Sequence, residues 1–143
     1  MLASKILNNY LNDSFEDIEI TGIAYDSRAV QPGYIFVCVK GFETDGHKYA
    51  QCAVDNGAVM IVAEDEIDVS VPVCYVEDSR KALADISCEF YGHPSEKFRL
   101  VGVTGTNGKT TVTYLVKSIL ELAGKKVGII GTNQNIIGDK VLL

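Results

Sequence analysis

Apolar residues recur along this chain with two periods, and the periods divide it into elements. Leu2, Ile6, Leu7, Tyr10 and Leu11 repeat at helical spacing, which predicts an amphipathic helix over residues 2–11. Residues 18–25 alternate as a strand does. Asp26-Ser27-Arg28 and Gln31-Pro32-Gly33 then read as polar turns. Residues 34–39 form a short, nearly continuous apolar run, the mark of a strand buried on both faces, and residues 58–63 form another. Between them a loop over 40–46 leads into a helix over about 47–56, with Tyr49, Ala50, Ala53 and Val54 on one face and Gly57 as its cap. After the acidic loop Glu64-Asp65-Glu66, residues 71–76 read as a further strand, weakened near its start by Pro72. Asp78 is placed to cap a helix to about Tyr91, with Leu83, Ile86 and Phe90 inward and Gly92 ending it.

His93-Pro94-Ser95-Glu96-Lys97 is the best linker in the chain, so a domain of residues 1–97 and a second segment of 98–143 are expected. The second segment predicts a strand over 99–104, a glycine-rich loop, a helix over 109–123 and a strand over 126–130. That is a βαβ unit with parallel strands and a right-handed crossover. One helix cannot cover both faces of a parallel sheet, so the sequence reads as the first part of a longer protein.

Charge changes at the same linker. Residues 1–96 hold 6 basic and 17 acidic side chains, a balance of −11, whereas residues 97–143 carry +5. An acidic first part argues against nucleic acid as a partner, and a basic second part suits a polyanionic nucleotide. The N-terminus is too polar for a signal peptide, and no apolar run nears the ~20 residues of a membrane span. A cytoplasmic protein without membrane insertion is therefore expected; a monomer is expected as well. Cys38, Cys52, Cys74 and Cys88 include no Cys-x-x-Cys pair and read as buried free thiols.

The sharpest chemistry lies in Gly105-Thr106-Asn107-Gly108-Lys109-Thr110-Thr111, set between a predicted strand and a predicted helix. Unpaired N–H groups and the positive dipole end at a helix start attract a phosphate, and glycines let the main chain approach it. Lys109 adds a mobile charge for the β- and γ-phosphates of ATP, and the Thr110 hydroxyl is suited to Mg²⁺. The loop is a short G-x-x-G-K-T form, because Val103 stands where the longer pattern has its first glycine.

Val103-Thr104-Gly105-Thr106-Asn107-Gly108-Lys109-Thr110-Thr111 resembles the ATP loop of the Mur ligases, which add amino acids to the UDP-N-acetylmuramoyl peptide precursor of peptidoglycan. The resemblance runs along essentially the whole chain. Its marks include Asp26-Ser27-Arg28, Pro32-Gly33, Ile35-Phe36-Val37, Lys40-Gly41, Asp45-Gly46-His47, Gly57-Ala58 and Ile61-Val62-Ala63-Glu64, in that order. Thr106-Asn107 and Ile130-Gly131-Thr132 favour the member that adds the third residue, meso-diaminopimelate or L-lysine. Asn133-Gln134-Asn135 is less typical of it and keeps the D-Ala-D-Ala-adding member open.

The resemblance implies an α/β architecture: a UDP-binding first domain with a small sheet flanked by helices, then the first βαβ unit of a P-loop-type ATP-binding central domain. It implies ATP and Mg²⁺ as cofactors, a UDP-muramoyl peptide and an amino acid as substrates, and Lys109 as the catalytic residue of an acyl-phosphate ligase. Ser27, Phe42, Glu43 and Thr44 match positions that contact the UDP moiety. From the residues alone, Ser27 reads instead as part of a turn that organises the chain. Likewise Arg28 reads as a local partner of Asp26, and His47 as packing near a helix start. The 143 residues by themselves are expected not to turn over. A non-catalytic UDP-sugar or nucleotide-binding module and an unrelated P-loop NTPase are the other readings.

Overall fold

The computed structural model describes residues 1–10, 17–41 and 44–142. The predicted end of the first helix at Leu11, and Phe42 and Glu43, lie outside the described residues. The chain forms two compact units, Met1–Phe98 and Arg99–Leu143.

In the first unit, strands β1 (Gly22–Ala24), β2 (Tyr34–Val37), β3 (Ala58–Ala63) and β4 (Val73–Tyr75) form one sheet in the order β1-β2-β3-β4. All pairs are parallel, with Ile35 beside Met60, Phe36 beside Ile61 and Val37 beside Val62. Side chains alternate across a strand, so each apolar run feeds both faces. Ile35, Val37, Met60, Val62 and Cys74 enter one core together with Ile6, Leu7, Ala82 and Ile86. Phe36, Cys38, Ile61 and Ala63 enter the other with Val30, Ala50 and Ala53.

The strand order decides which segment covers which face. A parallel sheet whose strands follow one another in sequence, with right-handed crossovers, carries all its connections on one side. Residues from the three connections, Val30, then α2 (Ala50–Asp55), then Ile67, Val69 and Val71, accordingly pack in one core. The other face is covered from outside the crossovers, by α1 (Ala3–Ile6) and α3 (Ser79–Tyr91). Helix α3 begins as expected: the Asp78 carboxylate accepts from the N–H groups of Arg80 and Lys81, both at 2.9 Å. Tyr10, beyond the four residues of α1, donates to the Asp85 carboxylate on α3 at 2.6 Å. Burial first, and the Asp85 bond second, push its phenol up to about 12.

Several expectations are corrected here. The first helix is a single turn, Ala3–Ile6, and its start is tied to the segment before β1: the Ala3 N–H donates to the Ile18 carbonyl and the Met1 ammonium to the Ile20 carbonyl. The helix expected over 47–56 opens as a 3-10 turn, Gly46–Tyr49, which leaves Tyr49 exposed while Ala50 and Ala53 are buried. All four cysteines are free, but only Cys38 and Cys74 are buried; Cys52 is exposed. Burial pushes the Cys38 and Cys74 thiols up to about 12 and about 11.

The second unit differs more. Residues 99–104 take no strand pairing. Helix α4 spans Lys109–Leu122, and β5 (Gly128–Ile129), β6 (Asn135–Ile137) and β7 (Lys140–Leu142) form an antiparallel sheet. Among the described residues the expected parallel βαβ unit is thus absent. A parallel pair needs both faces covered, and the hairpin of β6 and β7 supplies β5 with nearer main-chain partners. The apolar face of α4 is not buried either: Val112, Leu115 and Ile119 are exposed.

Gly57 shows how tightly β2 and β3 are joined. It sits at φ +102°, and a Cβ there would lie 2.9 Å from the Pro32 Cα. Gly57→Ala is expected to lower stability by roughly 2–4 kcal/mol from strain and overpacking. Urea unfolding of the chain checks this; a shift below about 0.5 kcal/mol, the ordinary surface range, contradicts it.

Candidate functional site

Parallel sheets gather polar loops at the carboxyl ends of their strands, and there ligands bind in open α/β folds. Ser27 follows β1 in the 3-10 turn Ser27–Ala29, closed by the Asp26 carboxylate accepting from the Arg28 N–H at 3.0 Å. Ser27 is buried to 7% exposure, and its carbonyl accepts from Asn56 Nδ2 at 2.9 Å. Its hydroxyl makes no hydrogen bond to another described residue. The turn therefore holds the main chain of Ser27 and leaves its hydroxyl without a described partner. The Arg28 guanidinium folds back on Asp26, Nη2 to Oδ2 at 2.6 Å, as the local pairing expected. That hydrogen bond holds the Asp26 carboxyl down to about 2. Thr44 is exposed, and its carbonyl accepts from the Gly41 N–H at 2.9 Å.

Beyond β2 and β3 lies a polar clamp that the sequence did not reveal. His47 Nε2 accepts from the N–H groups of Glu64 at 3.0 Å and Asp65 at 3.2 Å. Two donors at Nε2 require its lone pair, so the ring proton is on Nδ1, which donates to Asp45 Oδ1 at 2.6 Å. Glu64 Oε1 in turn accepts from the N–H of Ser79 at 2.8 Å and from its hydroxyl at 2.7 Å. The Lys40 ammonium pairs with Glu64 at 3.2 Å and Asp65 at 2.8 Å, and Arg80 Nη2 donates to the Lys40 carbonyl at 3.0 Å. Asp45, His47 and Asp65 have ligand atoms within 4.8 Å of one another. They do not fit a cation: both ring nitrogens are committed, Asp45 Oδ1 accepts from the His47 ring and N–H, and Asp65 is already paired with Lys40. His47 thus packs at a helix start, as its sequence position suggested. Only Asp45-Gly46-His47 and Glu64 were visible as sequence marks, and their bonding joins residues 15 to 18 apart in sequence.

In the second unit Gly105 and Gly108 adopt φ +144° and +76°, the left-handed side that glycine permits. Gly108 caps α4 with no side chain bonded to the helix start, so the first-turn N–H groups of Lys109, Thr110 and Thr111 face outward without a capping side chain. Lys109 Nζ folds back to donate to the Gly105 carbonyl at 2.5 Å, across the loop. Residues 104–111 are all exposed. This cradle of free N–H groups and one ammonium fits an anionic phosphate, and the Thr110 hydroxyl stands beside it for a hard cation. A cleft of about 200 Å³ adjoins the cradle, between the first turns of α4 and the turn after β5.

The sequence matches two family patterns: "Mur ligase family, catalytic domain" over residues 19–91, and "Mur ligase middle domain" over residues 103–142. A UDP-N-acetylmuramoyl-L-alanyl-D-glutamate–2,6-diaminopimelate ligase from Listeria monocytogenes is 53% identical over 127 residues, covering 89% of this chain and 26% of its own length. The ligase of the same name from Bacillus velezensis is 47% identical over 139 residues, covering 97% of this chain and 28% of its own length. The chain thus spans about a quarter of the length of the curated relatives it matches. Among solved structures, a ligase of that name has a TM-score of 0.73 at 22% identity, covering 99% of this chain and 29% of its own, a likeness of fold alone. MurF from Thermotoga maritima, in complex with ADP, has a TM-score of 0.58 at 33% identity, covering 78% and 25%.

The clamp gives a pH dependence. The Glu64 carboxyl lies near 2 rather than its ordinary 4.5, held down first by the Ser79 hydroxyl, then by the Ser79 N–H and by Lys40. A folded-state value below the unfolded one contributes stability that is full above pH 4.5 and lost as pH falls toward 2. Asp26 titrates in the same range, so the difference from Glu64→Gln isolates the clamp. Urea midpoints of the two proteins are expected to converge as pH falls through that window. Curves that stay parallel across it overturn this account of Glu64.

Proposed function

The chain belongs to the Mur ligase family, and from that premise we propose that it is the opening portion of an ATP-dependent ligase. The reaction joins diaminopimelate to UDP-N-acetylmuramoyl-L-alanyl-D-glutamate in peptidoglycan synthesis, in the cytoplasm. The observation that carries this reading is the exposed cradle at Gly105–Gly108 with Lys109 folded over it. Relatives near 50% identity carrying the diaminopimelate name support that amino acid over L-lysine. Likeness to MurF supports a D-Ala-D-Ala ligase more weakly, at 33% identity.

In this reading residues 1–97 hold the UDP-muramoyl peptide and residues 98–143 begin the ATP-binding domain. Ser27 offers its free hydroxyl to the UDP moiety. Thr44, whose carbonyl is already used by Gly41, offers its remaining polar groups, and Phe42 and Glu43 belong to the same contact stretch. Bound ATP supplies the phosphoryl group that activates the substrate carboxylate. The N–H groups from Gly105, Thr106, Asn107 and Gly108 through Thr111 hold its phosphates, and Lys109 neutralises charge on the phosphoryl group in flight. The ammonium leaves the Gly105 carbonyl to do so, exchanging one oxygen for a more strongly charged one. Thr110 would hold Mg²⁺, which would offset phosphate charge. No covalent enzyme nucleophile is required, and a monomer suffices.

Calorimetric titration tests both halves. Lys109→Ala is expected to weaken Mg·ADP binding about tenfold or more, as loss of a charged hydrogen bond does. Ser27→Ala is expected to weaken UDP binding by about fivefold and to leave Mg·ADP binding unchanged. Equal Mg·ADP affinity for Lys109→Ala and the parent chain would sink the ATP assignment.

A further inference from the structure

The turn that carries Ser27 closes unevenly on itself. The Ala29 N–H donates to the Asp26 carbonyl at 3.0 Å, but the Val30 N–H reaches the Ser27 carbonyl only at 3.4 Å. The shorter bond to that carbonyl comes from outside the turn, from Asn56 Nδ2 at 2.9 Å. A carbonyl oxygen only accepts, so the carboxamide presents its NH2 group to it. Asn56 lies 29 positions along the chain, at the end of α2, and its side chain ties the turn to that helix.

Nothing else about position 56 asks for an asparagine. The residue is exposed, so its side chain fills no core. Its backbone is right-handed, with φ −83° and ψ 0°, and the positive φ after α2 falls on Gly57. The tolerance of asparagine for the left-handed region is therefore not used. Its main-chain N–H closes the helix on the Cys52 carbonyl at 3.1 Å and needs no side chain to do so. The other contact of its carboxamide, to Cys52 Sγ at 3.8 Å, is weak. The corner that carries Asn56 is itself fixed. The Gly33 N–H donates to the Gly57 carbonyl at 3.0 Å, and Gly57 leaves no room for a Cβ beside Pro32.

We propose that Asn56 is a positioning residue for UDP: by holding the Ser27 carbonyl it sets the aim of the Ser27 hydroxyl, without touching the ligand itself. The inference rests on the UDP role of Ser27 proposed above and adds a residue to it. Ser27 is buried, yet its hydroxyl is bonded to no described residue and is not sealed from solvent. A serine hydroxyl is one rotatable bond from its main chain, so its direction follows the peptide that carries it. Without Asn56 that peptide keeps the 3.4 Å bond from Val30. The ligand must then order the turn as it binds, and that cost appears as lost affinity.

A double-mutant cycle on the 143-residue chain, read by calorimetric titration with UDP, tests this. Asn56→Ala removes the donor from an exposed side chain and leaves no cavity. It is expected to weaken UDP binding about threefold, and Ser27→Ala about fivefold, each within the range of one neutral hydrogen bond. Because Asn56 acts through the Ser27 hydroxyl, the double variant is expected to stay at about fivefold. Gln51→Ala breaks an exposed bond to Asp55 on the same helix and is expected to leave UDP affinity unchanged. Amide exchange at Ala29 and Val30 should quicken in Asn56→Ala and not in Gln51→Ala. Parental UDP affinity or parental exchange in Asn56→Ala overturns the positioning role. A double variant weakened about fifteenfold, the product of independent effects, overturns it too, as does an equal loss in Gln51→Ala. If Ser27→Ala binds UDP as the parent does, the UDP reading of Ser27 falls and this inference with it.

Discussion

Burial of a parallel sheet on both faces is the constraint on which the first unit depends. Each strand is only three to six residues long, so no face contributes enough apolar surface unless both are covered. Strand order assigns the covers. The connections occupy one side, and the other falls to α1 and α3, segments remote in sequence that meet over Ile35, Val37, Met60 and Val62. This is why the N-terminal turn is bound so firmly by Met1, Ala3 and Tyr10 despite its shortness. Four residues of helix have no stability of their own.

The same sheet creates a polar edge, and the edge separates into a part whose side chains bond one another and a part left without described partners. His47, Glu64, Lys40 and Ser79 satisfy one another and fasten the loops after β2 and β3 to the start of α3. What remains uncommitted is small: above all the Ser27 hydroxyl, on a turn held through its carbonyl by Asn56. A rigid clamp beside a free donor is the arrangement expected of a preorganised binding edge, where ordering costs are met on folding and not on binding. Under the binding role proposed for Ser27, Asn56 would hold its main chain while Glu64 and Ser79 fasten the loops after β3 to α3.

The second unit works by the opposite principle. Its loop is exposed, its helix presents unburied Val112, Leu115 and Ile119, and among the described residues no side chain caps the helix start. Free N–H groups at a helix start cost little in water, and they are the feature a phosphate recognises. The short loop needs positive φ at Gly105 and Gly108 and a lysine at the next position. Those are local demands, met by local sequence.

That difference marks what the sequence alone determined. The apolar runs at 34–39 and 58–63, the Asp78 and Gly92 caps of α3 and the loop from Gly105 to Thr111 were legible because each depends on spacing or on the chemistry of adjacent residues. The family likeness was legible for the same reason, as short marks in a fixed order. Tertiary structure decided the rest. That α1 shrinks to one turn, that 99–104 pairs with no strand, and that β5 joins a hairpin follow from which partners are near. The bonds of His47 to Glu64, of Asn56 to Ser27 and of Tyr114 to Gln134 join residues 17, 29 and 20 apart. Hydrogen bonding at such separations leaves no periodic trace, because any side chain of suitable length and polarity serves once the fold has brought its partner within 3 Å.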